Sequence, residues 1–546
     1  MTLGAAANFS QGWSDVTYDA ALALGVEEFR DSILWSQVER APGVYTFDQR
    51  KTQYPARLAE DGKRLVLTVA SSNPLYDDGK TPHSPEGVAA FARFVAAVVR
   101  EYPAVSAVEV GNEFNSGDFV TGPVREGGIG QRARYHVALL EAVAREVRAV
   151  RPDLPILGGA THSLPAGYLW SVLEQAAPGS IDGLAVHPYT TDIDQLPAQT
   201  GVLRRNPRAR SMPMQVTEYG TKDEADAPDH MLRGYAAMAS LGYAALHWYP
   251  LNERADGLVP LIRRDGSVTG AGEAFRFIEA QLAARTARDI SPDRFTFVHA
   301  FSRANSGPDR LVLWGDPRPI SLMRSDIEAF DARGNRIGPA ELALSPQHAV
   351  VLAGSRPIRL GEDVVLGCTT LVADSFYQFD YPQRGAGEAR RAFAASLSLE
   401  GEEQPLATMP GQQRAGVPWL PYLGLTDRPG VRLTADRMLL TGATSRGAAV
   451  TLRWVTPSAG RLQIEARFTP SEQNRGPFTV ELRQGAQVLF SRSGTTAVQF
   501  DDSLPLQGSD PLEIRLTRTG AEPVSADYRV RLHDNSRCAN RSQDQG

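Results

Sequence analysis

The stretch AVEVGNEFN (Ala107–Asn115) decides the fold of this 546-residue chain, because a short apolar run ends there in polar residues. The apolar run stops at Gly111 and an Asn-Glu pair follows, a form typical of a barrel strand with functional side chains at its carboxyl end. MQVTEYG (Met214–Gly220) has the same form and carries Glu218 near its end. The two stretches therefore predict two strands of one parallel sheet.

Strand-like runs and helical runs alternate from residue 1 to about residue 285. The helical runs, such as Phe91–Tyr102 and Tyr135–Val150, place apolar residues at spacings of three and four. Eight βα units in about 250–300 residues predict an α/β fold, a closed (β/α)8 TIM barrel. The predicted strands are Leu3–Asn8, Glu28–Leu34, Leu65–Ala70, Ala107–Gly111, Pro155–Gly159, Gly183–Val186, Met214–Thr217 and Ala244–His247.

The sequence changes character after about residue 290, where short strand-like runs are broken by Gly, Pro and Asp. Such runs without long amphipathic helices predict C-terminal all-β sandwich domains. We predict a catalytic barrel at 1–288, a small β domain packed on it at 289–362 and a β-sandwich at 363–546. Carbohydrate binding by the sandwich stays an open alternative. It needs a solvent-facing aromatic row, for which the candidates are Trp314, Trp419, Tyr422 and Trp454.

The composition of the chain excludes some classes of binding partner. The formal net charge is -6, and 22% of the residues are charged. This mild acidity argues against a nucleic-acid partner, which would require a basic surface. No run of about 18 uninterrupted apolar residues occurs, so we predict no membrane insertion. The oligomeric state stays open.

The two cysteines, Cys368 and Cys538, have two readings. They form one disulfide in an oxidising compartment, or they are two unrelated buried thiols. Neither lies near a His/Cys cluster, and we predict no metal and no cofactor. The start MTLGAAANFSQGW lacks a basic n-region and an apolar h-region. The protein is therefore expected in the cytoplasm, or in the periplasm or outside the cell if a leader was removed.

The two carboxylates carry the functional prediction. In a TIM barrel the chemistry lies at the carboxyl ends of the strands, where Glu113 of the fourth strand can face Glu218 of the seventh. Glycoside cleavage needs two such groups, and a separation of about 5–5.5 Å gives retention of configuration. The alternative is that both are solvated loop residues or ion-pair partners. The pattern favours a retaining glycoside hydrolase.

GNEFN and TEYG resemble the acid/base and nucleophile motifs of clan A glycoside hydrolases. The sequence is most similar to family 39, particularly its bacterial members linked to exopolysaccharide gene clusters. The resemblance covers about residues 1–285. It implies that Glu113 is the acid/base and Glu218 the nucleophile of a double displacement. The implied substrate is an oligosaccharide or a polysaccharide, such as a bacterial exopolysaccharide.

Four further segments resemble parts of the family's sugar cleft: FRDSILWSQVERAPGVYTFD, SSNPLYDDGKTP, AVHPYT and LHWYP. The resemblance implies that Arg30 hydrogen-bonds the nucleophile, that Asn112 contacts the sugar 2-hydroxyl and that Trp248 is a platform under the cleaved sugar. The full set of implied substrate-binding residues is Arg30, Trp35, Asn73, Tyr76, Asn112, His187, Tyr189 and Trp248.

Two other functions stay open from the sequence alone. One is a non-catalytic carbohydrate-binding or scaffolding protein on a degenerate barrel, and the other is a transglycosylase that uses the same two carboxylates. The sugar, its linkage, its anomer and the choice between endo and exo action are not encoded in these motifs.

Overall fold

A computed structural model of the chain describes residues 1–383, 392–442, 447–455, 460–508 and 510–541. Besides the short antiparallel pair Glu39–Ala41 and Val44–Tyr45, its first half has eight strands in one sheet: β1 Thr2–Ala6, β2 Glu28–Ser32, β3 Arg64–Val69, β4 Val105–Val110, β5 Ile156–His162, β6 Gly183–His187, β7 Met214–Tyr219 and β8 Ala245–Trp248. They pair in parallel and close into a barrel in the order β1–β8–β7–β6–β5–β4–β3–β2. The predicted TIM barrel is confirmed, with every predicted strand present.

A helix of eight or more residues follows each barrel strand: α1 Asp15–Leu24, α2 Arg50–Glu60, α3 Pro85–Glu101, α4 Gly128–Arg148, α5 Ala166–Gln175, α6 Leu196–Leu203, α7 Ala227–Ser240 and α8 Gly270–Gln281. Helix α3 begins six residues before the predicted start at Phe91. The Ser84 hydroxyl accepts the Gly87 N–H as an N-cap, and Pro85 occupies the first turn, where no donor is lost. The capping chemistry thus extended the helix beyond its apolar run.

The barrel interior has an apolar layer beneath a polar one. Because side chains alternate along a strand, Val66 and Ala107 share one inward layer, and Thr68 and Glu109 lie one step nearer the mouth. The apolar layer is a small cluster separate from the main core, and it contains Val66, Ala107, Leu157, Ala160 and Ala185. The outward-facing Val108 belongs instead to the main core. Polar groups are therefore concentrated under the carboxyl ends of the strands.

Two antiparallel sheets follow the barrel. Their strands are β9 Thr286–Asp289, β10 Thr296–Ser302, β11 Pro308–Gly315, β12 Arg318–Leu322, β13 Ile327–Phe330, β14 Ala343–Leu344, β15 Val350–Gly354 and β16 Val364–Leu366. One sheet has the order β9–β10–β11–β15–β13, and the other has the order β14–β12–β16. The division of the chain into three domains at the predicted boundaries stays a prediction.

Two larger sheets complete the fold. Their strands are β17 Leu371–Asp374, β18 Phe393–Leu399, β19 Glu402–Pro405, β20 Ala407–Met409, β21 Tyr422–Gly424, β22 Val431–Leu433, β23 Arg437–Leu440, β24 Ala449–Trp454, β25 Gly460–Pro470, β26 Phe478–Gln484, β27 Gln487–Gly494, β28 Val498–Leu506, β29 Leu512–Arg518 and β30 Val524–His533. One sheet runs β20–β21–β22–β23–β30–β25–β28 with β17 beside β30, and the other runs β19–β18–β24–β29–β26–β27.

Burial alternates residue by residue in strands such as β26 and β29, as expected when one face of each sheet packs on the other. The predicted C-terminal sandwich is confirmed. Cys368 and Cys538 form a disulfide, which selects one of the two readings of these residues. Among the described helices, none combines the length and the apolar character that crossing a membrane requires.

Candidate active site

Glu113 and Glu218 meet at one cavity at the mouth of the barrel. The cavity has a volume of about 830 Å³, and both carboxylates line it. One oxygen of each carboxylate and one nitrogen of His187 all lie within 4.8 Å of one another. Glu113 has a φ of 44°, in the left-handed region that non-glycine residues rarely adopt, directly after the β4 strand. Such backbone strain concentrates at functional sites.

Glu218 is held by two donors. A guanidinium nitrogen of Arg30 donates to one of its oxygens, and the Tyr189 hydroxyl donates to the other at 3.0 Å. Arg30 also donates to the Asn112 side-chain oxygen at 2.7 Å. Arg30, Asn112 and Tyr189 all line the cavity, so the structure brings these three predicted residues together around Glu218. The guanidinium and the phenol hydroxyl together fix the orientation of that carboxylate.

Glu109 is a third carboxylate at the site, which the sequence interpretation missed. It is fully buried inside the barrel and accepts hydrogen bonds from Arg30 at 2.8 Å, Thr68 at 2.6 Å and Thr217 at 2.7 Å. Burial raises the pKa of Glu109, but the charges of Arg30 and His187 outweigh it and hold that pKa well below its usual range. A lone Glu within the apolar run AVEVG was the signal that could have identified it.

His187 lies behind the two facing carboxylates and is fully buried. Its Nδ1 lies 3.2 Å from Glu113 Oε1 and 3.8 Å from Glu218 Oε2, and its Nε2 lies 3.4 Å from Glu109 Oε1. Burial lowers the pKa of His187, but Glu218, Glu109 and Glu113 outweigh burial and raise it to about 9. The imidazole is therefore protonated at neutral pH and acts as a cation among three carboxyls.

The structure does not bring Trp35, Asn73 and Tyr76 to the cavity. These three residues surround Glu39 instead, which is 1% exposed. The Trp35 indole N–H donates to Glu39 at 2.6 Å, the Tyr76 hydroxyl donates to it at 2.8 Å, and the Asn73 amide donates to its carbonyl at 2.8 Å. Trp35 also stacks on Tyr76 with ring centroids 5.2 Å apart. The predicted sugar contacts are thus replaced by a buried polar network that braces the cavity wall.

Trp248 is not the predicted platform either. It is fully buried and donates its indole N–H to the Val259 carbonyl at 2.9 Å. Successive side chains point in different directions at a strand end, and the next residue, Tyr249, lines the cavity instead.

Several cavity-lining residues were not predicted, among them Asn8, His162 and Phe119. Asn8 was the last residue of the first predicted strand, and that position at the carboxyl end was a usable signal. Its side-chain nitrogen is buried and has no hydrogen-bond partner among the described residues.

Glu113, His187 and Glu218 are the only described cluster with the spacing to hold a metal ion. Arg30 already places a positive charge on Glu218, and His187 carries a second one. The Arg30 charge repels a divalent cation at this cluster, and His187 must lose its proton before it can ligate one, so both residues oppose metal binding. The donor set fits acid–base and nucleophilic chemistry better than metal ligation.

The four aromatic candidates of the C-terminal half do not form an exposed row. Trp314, Tyr422 and Trp454 are buried, whereas Trp419 keeps 37% of its surface exposed. Trp419 also lies near the barrel mouth, with its ring centroid 5.3 Å from that of His162.

No protein-family model and no curated protein matches the chain. Solved structures do. A family 39 glycoside hydrolase from the gut symbiont Bacteroides cellulosilyticus WH2 is 17% identical, with a TM-score of 0.51, over 65% of this chain and 80% of that chain. A monomeric β-xylosidase from Caulobacter crescentus CB15 is 13% identical with a TM-score of 0.43, over 95% of this chain and 96% of that chain. The GH39 enzyme from Xanthomonas axonopodis pv. citri is 13% identical with a TM-score of 0.42, over 94% and 93% of the two chains.

The first of these similarities shows a shared fold. This chain has a closed barrel, and the similarity confirms the predicted resemblance to family 39 at the level of the fold. The chemistry rests on the residues of the cavity, because a fold alone does not define an activity.

Proposed function

We propose that this protein is a retaining glycoside hydrolase that cleaves an oligosaccharide or a polysaccharide by double displacement. The observation that carries the proposal is the pair of carboxylates at one cavity, with oxygens of Glu113 and Glu218 within 4.8 Å of each other. Inverting enzymes need room for a water and separate their carboxyls by about 6.5–9.5 Å, whereas retaining enzymes need about 5–5.5 Å.

The hydrogen bonds assign a different role to each carboxylate. Glu218 accepts hydrogen bonds from Arg30 and Tyr189, which hold its carboxylate in a fixed orientation at the cavity, as a nucleophile requires. Among the described residues, the side chain of Glu113 has one hydrogen-bond partner, His187. Glu113 lines the cavity and has fewer side-chain partners than Glu218, which suits the group that exchanges a proton with the substrate.

The proposed reaction uses both groups twice. Glu113 gives its proton to the glycosidic oxygen while Glu218 attacks the anomeric carbon, and the bond to the leaving group breaks. Glu113 then takes a proton from water, which attacks the same carbon and releases Glu218. The product keeps its configuration. Burial of both carboxylates strengthens their interaction with the charge that develops in the transition state.

Glu218→Gln and Glu113→Gln test the proposal on a panel of aryl glycosides, oligosaccharides and bacterial exopolysaccharides. We expect Glu218→Gln to lower kcat by a factor on the order of 10³ or more and Glu113→Gln by about 10²–10⁴ on unactivated substrates. The matched control is Glu224→Gln on the exposed loop after β7, paired with Arg263 and outside the cavity lining. Near-normal rates in both site variants contradict the proposal.

Two further measurements define the reaction. Azide restores turnover of an activated substrate by Glu218→Ala and yields a glycosyl azide of inverted configuration relative to the substrate. Nuclear magnetic resonance of the first product shows its anomer directly, and an inverted product excludes a double displacement. Product analysis at high acceptor concentration separates hydrolysis from transglycosylation, and a reducing-end assay separates both from carbohydrate binding without cleavage.

We propose a bacterial exopolysaccharide as the substrate and the periplasm or the cell exterior as the location. The substrate rests on the resemblance of GNEFN and TEYG to family 39 members of exopolysaccharide clusters. The location rests on the Cys368–Cys538 disulfide, which suits an oxidising compartment. Fractionation of the native cells with alkylation of free thiols tests the location. Recovery of the protein in the cytoplasm with two free thiols contradicts it.

A further inference from the structure

A loop of the C-terminal sandwich reaches the mouth of the barrel. This sandwich loop, residues 410–421, connects β20 to β21. The Gly167 N–H at the start of α5 lies within hydrogen-bond distance of the carbonyls of Pro410 at 3.2 Å and Gly411 at 3.0 Å. The approach is close, because a Cβ on Gly167 would lie 2.5 Å from the Gly411 oxygen. The loop is therefore in close backbone contact with the barrel.

Gln412 fixes the sandwich loop to the segment that carries Glu113. The Asn115 amide donates to Gln412 Oε1 at 2.7 Å, and the Gln412 amide donates to the Asn115 carbonyl at 3.2 Å. Asn115 also accepts the His162 N–H at 3.0 Å. Asn115 and Gln412 are both buried, so the pair is shielded from competing water. Asn115 lies two residues after Glu113 in GNEFN.

The same loop places Trp419 beside the cavity. The Gln412 N–H donates to the Pro418 carbonyl at 2.7 Å, which closes the loop just before Trp419. The Trp419 ring meets His162 nearly at right angles, and His162 lines the cavity 6.0 Å from the ring of Tyr189. Trp419 is 37% exposed, unlike Trp314 and Trp454 of the same half of the chain.

We infer that Trp419 is a sugar platform for the leaving-group side of the substrate, an inference that rests on the proposed function. The segment that carries Glu113 is also the one to which the sandwich loop is bound, so we expect the sugar released from Glu113 to lie on the side of that loop. An indole face packs well on the apolar face of a pyranose in water. The protein therefore acts best on substrates with at least one pyranose ring on the leaving-group side, and the sandwich supplies part of its specificity.

Trp419→Ala and Trp419→Phe test this on two substrates that share the cleaved sugar. One is an oligosaccharide from the panel above, and the other is the matching glycosyl fluoride, whose leaving group is too small to reach Trp419. We expect Trp419→Ala to lower kcat/KM for the oligosaccharide about tenfold, mainly through KM, and to change the fluoride rate less than about twofold. Trp419→Phe retains most of the oligosaccharide rate. Equal losses on both substrates, or no loss on either, overturn the inference.

A second variant pair tests the attachment of the loop. Gln412→Ala removes the bonds to Asn115, so we expect a loss on the oligosaccharide at least as large as that of Trp419→Ala. Gln413→Ala is the matched control, because Gln413 is exposed and its amide donates to Tyr422 within the sandwich at 3.0 Å. Equal effects of the two glutamine variants contradict a specific role for the Gln412 attachment.

Affinity electrophoresis in gels that contain each polysaccharide of the panel separates the two proposals. Hydrolysis that depends on Glu218 but not on Trp419 overturns the platform and leaves the glycosidase standing. Retardation that depends on Trp419 without any hydrolysis overturns the glycosidase and keeps a sugar contact at Trp419. Neither retardation nor hydrolysis overturns both.

Discussion

The mouth and the base of the barrel both place a buried carboxylate beside a histidine. At the mouth, Glu113 lies 3.2 Å from His187 and opens on the cavity. At the base, Glu28 lies 3.3 Å from His247, with Arg64 donating to it at 2.9 Å. Neither Glu28 nor His247 lines the cavity at the mouth, and the base has one carboxylate for two basic partners, whereas the mouth has three carboxylates for two. A Glu–His pair alone therefore does not mark an active site. The mouth differs from the base in its excess of carboxylates and in the cavity beside them.

The largest expected effect separates the two regions by activity. Glu109→Gln leaves Arg30 and His187 with one carboxylate fewer in a buried site, so we expect kcat to fall by about 10²–10³ and stability to fall by about 3–5 kcal/mol. Glu28→Gln at the base should cost stability of similar order but change kcat less than about twofold. Saturation kinetics and urea unfolding measure both. An equal loss of kcat in the two variants contradicts the expected functional difference between the mouth and the base.

The two regions should also respond to opposite ends of the pH scale. The pKa of His187 is raised to about 9, above its unfolded value of about 6.5, so its contribution is complete below about pH 6.5 and is lost as pH rises through about 9. Burial raises the pKa of Glu28, but His247 and Arg64 outweigh it and lower that pKa to about 2. Its contribution is complete above about pH 4.5 and is lost as pH falls through about 2.

Urea unfolding between pH 2 and pH 10 tests this contrast. Each shift corresponds to a contribution of about 3 kcal/mol. We expect His187→Gln to flatten the alkaline decline in stability and Glu28→Gln to flatten the acid decline, each without altering the other limb. A wild-type alkaline decline that persists in His187→Gln contradicts the assignment of that limb to the barrel mouth.

The smallest expected effect compares two tyrosine hydroxyls. Tyr189→Phe removes one donor from Glu218, so we expect kcat/KM to fall about tenfold with little loss of stability. Tyr243→Phe near the base removes a buried hydrogen bond of 2.9 Å to Thr200. That variant should cost about 1 kcal/mol of unfolding free energy and leave kcat/KM intact. Loss of kcat/KM in Tyr243→Phe means that the base is coupled to the site.

Much of the site could be predicted because strand ends are visible in a sequence. Glu113, Asn112 and Glu218 follow apolar runs, and the carboxyl ends of parallel strands gather at one edge of a barrel. Trp248 is an instructive exception. Its position at a strand end was predicted, but the direction of its side chain depends on the local backbone, which a residue pattern does not give.

Contacts between residues far apart in the chain cannot be predicted from such a local pattern. Trp35, Asn73 and Tyr76 were assigned to sugar, but each bonds Glu39, whose burial results from packing between loops. Gln412 contacts Asn115 across 297 residues of sequence, and no local motif announces that pair.

By itself, the sequence determined the barrel, the sandwich and the two carboxylates, because each follows from local periodicity or a strand-end motif. Arg30 and Tyr189 were predicted as site residues only through the resemblance to family 39. Only the tertiary structure showed that Glu109 lies beside Arg30 and His187 in the active site. It also showed that three predicted sugar contacts bind Glu39 instead, and that the sandwich places Trp419 at the barrel mouth. The reason is physical. Local sequence sets which strand or helix a residue belongs to, whereas its burial and its charged partners depend on which distant parts of the chain pack against it.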